Sequence, residues 1–582
     1  MMRSSQKNWR NIERRMHKLY KDAPIERLME RFEMLIGRYG VGLKAPKTKT
    51  HFSQEDVLLI AYPDNIQNGS EATLATLHKF CVRHLKKAFN TIHLLPFFPS
   101  SSDEGFSVIN YRKIEPRLGA WKHIQAFSQD FKLMVDLVLN HCSRKSAWFN
   151  SFINGIEPYQ RYFITEDPQT DLSKVTRPRT SSLLNKVSTR DGDAYVWCTF
   201  SPDQIDLNWK DPDVLFEFLD ILFYYISQGA RIVRLDAVGF LWKKPGSNCI
   251  HLPETHQLIK LLHDCLQIAA PHVLLVTETN VPHQENISYF GSSDEAHMVY
   301  NFALPPLLLH LFLKEDSSQF IEWLKALPTP PKGCTFLNFI ASHDGIGLRP
   351  LEGILPPKEI EFILETTAQR GAQVSYKTTE NAQKTPYELN TTLLSALTIP
   401  QEPSDISLKR YLCLHALFLA LKGIPAIYLN SLMATPNLPQ DPENPRATNR
   451  KKWQEKELET LLKKEHSPHA RAFKQFQHLL QTRNQCKAFS PDADIKVYST
   501  PSSLVVFQRT CMQTQETILC LFNVTNTPQS LESLTDMPSN IIQDIIAGDT
   551  LALEDTTAML QPYQAVWGLV AVGAQYNQPV TP

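Results

Sequence analysis

Short apolar segments alternate with longer amphipathic segments along most of the chain. Continuous apolar segments without polar alternation are typical of strands that are buried on both faces of a parallel sheet. Eight segments have this character: 57–61, 91–97, 133–139, 231–235, 273–276, 298–302, 335–340 and 426–429. The stretches between them, such as 74–89, 214–226 and 258–268, carry apolar residues at helical spacing. The pattern predicts an α/β fold, a (β/α)8 TIM barrel, whose active site is built at the C-terminal ends of the strands.

The spacing of these segments also predicts a domain organisation. We expect a helical N-terminal extension over residues 1–52, the barrel over 53–487 and a C-terminal antiparallel β domain over 488–582. Two gaps are too long for simple loops: an inserted domain at about 142–208 after the third strand and a loop-rich insertion at about 348–407 after the seventh. Long insertions at the top of a barrel usually shape its binding site.

The N-terminal extension carries basic residues at helix-compatible spacing. A solvated helix face explains this pattern best, and a membrane or partner surface is the alternative. The residues are Arg3, Lys7, Arg10, Arg14, Arg15, Lys18 and Lys21.

Composition limits the class of protein. The 582 residues are 42% hydrophobic and 21% charged, as in ordinary globular proteins. Sixty basic and sixty acidic residues give no net charge, whereas proteins that neutralise nucleic-acid phosphates normally carry a basic excess. No apolar segment reaches membrane-spanning length, no signal-peptide core is visible, and the ten cysteines form no CxxC pair. We therefore expect a cytoplasmic enzyme with no nucleic-acid or membrane partner.

Four of the predicted strands end in polar or charged residues. A single buried charge of this kind is best explained as a structural, hydrogen-bonded group, but four such endings at one rim of a barrel predict an active site. The residues are Asp136, Asn140 and His141 at the end of strand three, Arg234 and Asp236 at the end of strand four, Glu278 at the end of strand five, and His343 and Asp344 at the end of strand seven.

Carboxylates that converge with Arg and His suit the chemistry of glycosidic bonds. A retaining mechanism needs one ionised carboxylate as nucleophile and one protonated carboxyl group as acid and then base. Arg234 precedes Asp236 by two residues on one strand and faces the same side, which favours an ionised Asp236. Glu278 has no basic neighbour in sequence, and desolvation raises the pKa of such a group, as a general acid requires.

Four segments resemble the short motifs of the α-amylase superfamily, glycoside hydrolase family 13, in order and spacing. They are DLVLNH (136–141), RIVRLDAV (231–238), VTE (276–278) and ASHDG (341–345). The resemblance implies the barrel, the inserted domain and the C-terminal β domain. It also implies that Asp236 is the nucleophile, Glu278 the acid/base and Asp344 the transition-state stabiliser.

The same resemblance implies sugar ligands: His141, Arg234 and His343. Asn140 matches a calcium ligand of many amylases, but no acidic ligand set accompanies it. We therefore predict that Asn140 is a hydrogen-bonding neighbour of His141 and that the protein binds no metal or cofactor.

Longer segments narrow the resemblance to the sucrose-phosphorylase subfamily. They are HLLPFFPSSSDEGFSVINY (93–111), RLDAVGFLWKKPGSNCIHLPETH (234–256), VYNFALPPLLLH (299–310) and SHDGIGL (342–348). This likeness implies that Asp103, Phe106 and Arg450 bind the sugar and that Asp103 caps its non-reducing end. A pocket closed in this way transfers one glucosyl unit at a time.

Residues 277–291 depart from the sucrose phosphorylases. Together with 166–179 they resemble the glucosylglycerate phosphorylases of the same subfamily, whose acceptor, D-glycerate, is an anion. Arg177 and Arg179 are predicted to bind phosphate or the acceptor, because a guanidinium fits both oxyanions; a surface salt bridge is the alternative. Tyr387 matches a tyrosine near the phosphate site.

Three functions follow from these expectations. The first is a retaining phosphorylase that converts an α-glucoside, above all 2-O-α-D-glucosyl-D-glycerate, and phosphate into α-D-glucose 1-phosphate and the free acceptor. The second is a sucrose or glucosylglycerol phosphorylase, or a hydrolase or transglucosylase, on the same scaffold. The third is a non-catalytic member such as a transporter subunit, which is disfavoured because Asp236, Glu278 and Asp344 are all present. The oligomeric state stays open.

Overall fold

Eight parallel strands form a closed barrel in the computed structural model, in which each strand pairs with its neighbours in sequence and the last pairs with the first. The structure describes residues 2–40, 52–179, 181–378, 384–439, 441, 444–532, 534, 537–538, 541–553 and 557–570. The barrel strands, β1 to β8, are Leu58–Ala61, Thr91–Leu94, Lys132–Val138, Ala230–Asp236, Leu274–Thr277, Met298–Tyr300, Thr335–Phe339 and Ile424–Tyr428. All eight lie at the predicted apolar segments, and the predicted fold class is confirmed.

Helices lie between successive strands, as the amphipathic stretches predict. The helix before β4 begins at Pro212, and the Asp211 side chain accepts a hydrogen bond from the amide of Asp213. Its buried side chains are almost continuous because it packs on both the barrel and the N-terminal extension. The helices of the barrel and of its insertions are Thr73–His84, Trp121–Asp130, Ala147–Ile153, Pro212–Ser227, Pro253–Ala269, His283–Ile287, Leu304–Lys314, Ser318–Ala326, Pro357–Gln369, Leu393–Leu397, Ser404–Ala420, Leu429–Leu432, Glu455–Lys463 and Pro468–Gln485.

Two N-terminal helices, Met2–Leu19 and Ile25–Tyr39, dock on the barrel helices. The expectation of a wholly solvated basic face is wrong for Arg15, which is only 5% exposed. Its Nε donates to Oδ2 of Asp264 at 2.6 Å. Helical spacing alone cannot distinguish a solvated arginine from one that faces a buried carboxylate. Residues 41–51 of the predicted extension lie outside the described residues.

Two insertions reach over the C-terminal end of the barrel. After β3, His141–Ser143 pairs with Gln204–Asp206, and Leu184–Thr189 forms a hairpin with Gly192–Trp197. After β7, Ile346–Gly347, Gln373–Thr378 and Lys384–Asn390 form a three-stranded sheet. A Cβ atom on Gly345 would lie 2.3 Å from the carbonyl oxygen of Leu389, so glycine is required where this sheet crosses the end of β7.

An antiparallel sheet of six strands follows the barrel. In sheet order its strands are Asp494–Val497, Leu504–Thr510, Thr517–Asn523, Ala565–Val570, Ile541–Asp544 and Thr550–Ala552. The last two strands have exposed alternate residues and show no continuous apolar segment in the sequence. The short pairs Ile66–Gln67 with Trp453–Gln454 and Gln529–Ser530 with Met559–Leu560 complete the strands of the described residues. None of the described helices has the length and apolarity needed to cross a membrane.

Candidate active site

Register places Arg234 between two carboxylates at the rim of the barrel. Asp136 on β3 lies opposite Arg234 on β4. The Nη1 atom of Arg234 donates to Oδ1 of Asp136 at 2.5 Å and to Oδ1 of Asp236 at 2.7 Å. His93 contacts the other oxygen of Asp136 at 2.8 Å. The contact with Asp136 therefore fixes the guanidinium and directs it at Asp236.

Asp236 and Glu278 are two buried carboxyl groups that share the charge of Arg234. Burial is the largest influence on both and raises the pKa of each, while Arg234 opposes the shift. The Arg234 contact is 2.7 Å to Asp236 but 3.8 Å, from Nη2, to Oε2 of Glu278. The shorter contact favours a negative charge on Asp236 and leaves the proton of the pair on Glu278.

The residue after Asp236 turns the chain toward Glu278. Ala237 adopts a left-handed backbone conformation with φ +49°, which is uncommon for a residue with a side chain. Its amide donates to Oε2 of Glu278 at 3.1 Å. This hydrogen bond links the residue after the predicted nucleophile, Asp236, to the predicted acid/base, Glu278.

Asp344 follows β7 and is bound by an arginine that sequence reasoning missed. Arg446 donates from Nη1 to Oδ1 of Asp344 at 2.6 Å and holds both carboxylate oxygens of Glu388 at 2.9 and 2.7 Å. Burial would raise the pKa of Asp344, but Arg446, His343 and Arg450 hold it well below its usual value. Asp344 is consequently ionised at neutral pH.

Two histidines and an aromatic ring form one wall of the pocket. The rings of Phe106 and His343 stack at 5.3 Å with an interplanar angle of 8°. Nε2 of His141 lies 3.0 Å from the carbonyl oxygen of Phe106 and 3.1 Å from Nε2 of Gln204. Burial lowers the pKa of His141, and that of His343 to about 3, so both imidazoles are neutral near pH 7.

Asp103 lies in a short 3-10 turn, Asp103–Gly105, that directly precedes Phe106. Burial would raise its pKa, but Arg446, Arg179 and Arg450 together hold it below the usual value. Gln204 donates to Oδ2 of Asp103 at 3.1 Å. An ionised carboxylate at this position can accept hydrogen bonds from sugar hydroxyls.

One pocket collects ten of the residues predicted from sequence: Asp103, Phe106, His141, Arg179, Arg234, Asp236, Glu278, His343, Asp344 and Tyr387. Arg450 lies at the edge, where it lines the wider mouth and its Nε donates to the carbonyl oxygen of His343 at 2.8 Å. Arg177 is not among the lining residues, and its Nε and Nη2 atoms are buried without a hydrogen-bond partner. Of the two arginines, only Arg179 reaches the site.

Among the lining residues that were not predicted are Phe200, Gln204, Asn280, Glu388 and Arg446. None of these five directly ends a barrel strand, so the charges at the predicted strand ends do not indicate them. The only sequence signal for Arg446 is its position four residues before Arg450, in the segment Pro445–Asn449 that leads into it.

The side chain of Asn140 faces an internal cation. Lys243 Nζ donates to Oδ1 of Asn140 at 2.5 Å and lies 2.7 Å from Oδ2 of Asp206, and burial lowers the pKa of Lys243. Asn140 Nδ2 lies 3.3 Å from Nδ1 of His141, which makes it a neighbour of His141, the position predicted for it. Within the described residues, no group of three or more His, Cys, Asp or Glu side chains is arranged to hold a metal ion.

Comparison with known proteins extends these observations. The family model for the α-amylase catalytic domain matches residues 81–327. The chain is 42% identical to a glucosylglycerate phosphorylase of Allomeiothermus silvanus over 90% of its own length and 93% of the relative's. It is 40% identical to a glucosylglycerate phosphorylase of Escherichia coli over the same shares of the two chains. A crystal structure of sucrose 6F-phosphate phosphorylase from Thermoanaerobacter thermosaccharolyticum matches with a TM-score of 0.70 at 25% identity, covering 81% of this chain and 94% of that one. The similarity covers most of the chain and confirms the resemblance seen in the short motifs.

Proposed function

The chain belongs to the glucosylglycerate phosphorylases of the α-amylase superfamily, and from this premise we propose that it catalyses the reversible phosphorolysis of 2-O-α-D-glucosyl-D-glycerate. The products are α-D-glucose 1-phosphate and D-glycerate. The observation that carries the proposal is a single pocket that contains both carboxyl groups of a retaining mechanism and the Arg179 guanidinium.

The first half of the reaction uses Asp236 and Glu278. Asp236 attacks the anomeric carbon while Glu278 gives its proton to the departing glycerate oxygen, so a β-glucosyl ester forms on Asp236 and glycerate leaves. The electrostatics support these roles, because Arg234 is closer to Asp236 than to Glu278. Ionised Asp344 and Asp103 are placed to bind sugar hydroxyls and to stabilise positive charge on the ring.

In the second half, phosphate replaces water as the nucleophile. One oxygen of hydrogen phosphate attacks the anomeric carbon while Glu278 takes up the proton of the phosphate, the ester to Asp236 breaks and α-D-glucose 1-phosphate forms with net retention. Arg179 and Tyr387 line the same pocket, and no described carboxylate forms an ion pair with Arg179. A guanidinium without such a partner is suited to bind phosphate and the glycerate carboxylate in turn. On this proposal phosphate is a co-substrate held by side chains, and no metal or cofactor takes part.

The compartment we propose is the cytoplasm. All ten cysteines are free thiols and nine of them are buried, which suits a reducing environment. The partners are small molecules: the α-glucoside, phosphate, glucose 1-phosphate and the acceptor.

A phosphate-dependence assay tests the proposed function. The purified protein is incubated with glucosylglycerate, sucrose, sucrose 6′-phosphate or glucosylglycerol, with and without phosphate. We expect glucose 1-phosphate to form from glucosylglycerate only when phosphate is present, and to form unchanged after chelator treatment. Free glucose at the same rate in both conditions would show a hydrolase, and a preference for another glucoside would show a different acceptor.

A further inference from the structure

The loop that carries Asp103 is held in a strained backbone conformation. Asp103 and Glu104 have φ values of +55° and +47°, and Gly105 follows with φ +110°. Left-handed geometry is unfavourable for residues with a Cβ atom, and two such residues in sequence persist only when the surroundings fix them. A Cβ on Gly105 would lie 2.9 Å from the side chain of Pro96, so the turn is also closely packed.

A single carboxylate from the inserted domain accepts hydrogen bonds from three hydroxyl groups of this loop. Oδ2 of Asp203 accepts hydrogen bonds from Ser101 at 2.5 Å, Ser102 at 2.5 Å and Ser107 at 2.7 Å. Two of the serines precede the strained turn and one follows it, so Asp203 joins both ends of the loop. Hydrogen bonds to a charged acceptor are stronger than those between neutral groups.

The residue that follows Asp203 acts on the same loop from inside the pocket. Gln204 donates to Oδ2 of Asp103 at 3.1 Å, and its Nε2 lies 3.1 Å from Nε2 of His141. The backbone of Asp203 is itself fixed, because its carbonyl oxygen accepts from the amide of Arg144 at 2.8 Å. Asp203 and Gln204 therefore determine both the path of the loop and the direction of the Asp103 carboxylate.

We propose that Asp203 is a positioning residue for the glucosyl subsite. It does not line the catalytic pocket itself; it lines the wider mouth and acts by holding Asp103 and Phe106 in place. The inference rests on the proposed function only in taking the bound sugar to be a glucosyl unit. It states that Asp203 governs binding of the glucosyl group and leaves binding of the acceptor and of phosphate unaffected.

The test measures KM for glucose 1-phosphate and for α-D-glucosyl fluoride in Asp203→Ala and Asp203→Asn. We expect Asp203→Ala to raise both KM values by roughly tenfold or more, because several hydrogen bonds to a charged acceptor are lost. KM for glycerate in the synthetic direction, and for phosphate, should not change. Asp203→Asn keeps a carbonyl oxygen that accepts from the serines and should restore most of the affinity.

Two further variants separate positioning from folding. Asp193→Ala removes an exposed ion pair with Lys186 in the same inserted domain and should behave as wild type. The double variant Ser102→Ala/Ser107→Ala should reproduce the defect of Asp203→Ala. Combining it with Asp203→Ala should raise KM no further, since the groups act as one unit. The double variant also tests the proposal if Asp203→Ala does not fold. Equal rises in KM for glucose 1-phosphate and glycerate, or no rescue by Asp203→Asn, would overturn the proposal. If wild type shows no phosphate dependence, the proposed function fails, but the comparison on glucosyl fluoride still decides the role of Asp203.

Discussion

Arg446 donates from Nη1 to Asp344 at 2.6 Å while its other two nitrogen atoms, Nε and Nη2, donate to the two carboxylate oxygens of Glu388. Glu388 belongs to the strand Lys384–Asn390, which also carries Tyr387. One guanidinium thus joins the carboxylate after β7 to the sheet that covers the pocket. The contact gives Arg446 a function that its position in the sequence does not reveal.

Arg446→Gln should move the acid limb of the pH profile. Burial raises and Arg446 lowers the pKa of Asp344, with a net shift downward. Loss of Arg446 removes the largest of the influences that lower the pKa of Asp344. Asp344 therefore becomes protonated at higher pH, and activity is lost earlier as the pH falls. Loss of a charge-assisted hydrogen bond should also reduce kcat/KM by roughly ten- to a hundredfold. The measurement is kcat/KM for glucosyl fluoride against pH; an acid limb at the wild-type position would contradict the role.

Asp236→Asn should abolish turnover, because an amide cannot form the glycosyl ester. The loss should be the same with glucosylglycerate, glucose 1-phosphate and glucosyl fluoride, since every substrate passes through that ester. A mutant with a near-native rate on any of them would mean that another group is the nucleophile.

Glu278→Gln should lose activity in proportion to how much protonation the leaving group needs. Glycerate departs poorly without a proton, whereas fluoride needs little help, so glucosyl fluoride should still glucosylate the enzyme. Burial raises the pKa of Glu278. In wild type, activity on glucosylglycerate should therefore fall as the pH rises through this raised pKa. This alkaline limb of the pH profile should be absent when the Glu278→Gln variant acts on glucosyl fluoride. If both substrates lose the same factor, Glu278 is not the acid.

The barrel was predictable because each of its strands is an apolar segment with a distinct end. Asp236, Glu278 and Asp344 lie in one pocket because parallel strands finish at one rim. Arg446, Glu388 and Gln204 come from insertions and loops, where side-chain direction depends on how a segment crosses the barrel and not on its own periodicity. The positive φ values at Ala237 and Glu104 are likewise imposed by their surroundings, since neither residue type favours that conformation.

Arg15→Met should destabilise the protein without changing catalysis. Arg15 and Asp264 are each about 6% exposed at the side chain, and removing the arginine leaves Asp264 buried without its closest cation. Breaking a buried pair in this way typically costs about 3–5 kcal/mol. Denaturant unfolding measures the loss, and KM for glucose 1-phosphate should be unchanged. The matched control is Arg31→Met, whose 2.7 Å pair with Asp213 is 38% exposed on the arginine side and should cost at most about 1 kcal/mol.

Arg179 and Arg177 form a matched pair for testing how the carboxylate of the acceptor is recognised. Arg179 lines the catalytic pocket, whereas Arg177 does not, although both lie in the same insertion. Glycerate differs from glycerol chiefly in its carboxylate, so selectivity between them requires a positioned cation. Arg177→Ala, as the matched control, should leave the ratio of the two KM values unchanged.

Arg179→Ala should weaken the binding of glycerate in the synthetic direction far more than it weakens the binding of glycerol. Loss of a charge-assisted hydrogen bond to a ligand costs about 1.5–3 kcal/mol, which is roughly ten- to a hundredfold in affinity. Phosphate binding should weaken as well, because the two anions occupy the site in turn during double displacement. KM for glycerate, glycerol and phosphate in wild type and both variants decides the matter. If glycerate and glycerol shift by the same factor in Arg179→Ala, Arg179 does not bind the carboxylate, and the preference for an anionic acceptor must come from another residue of the pocket.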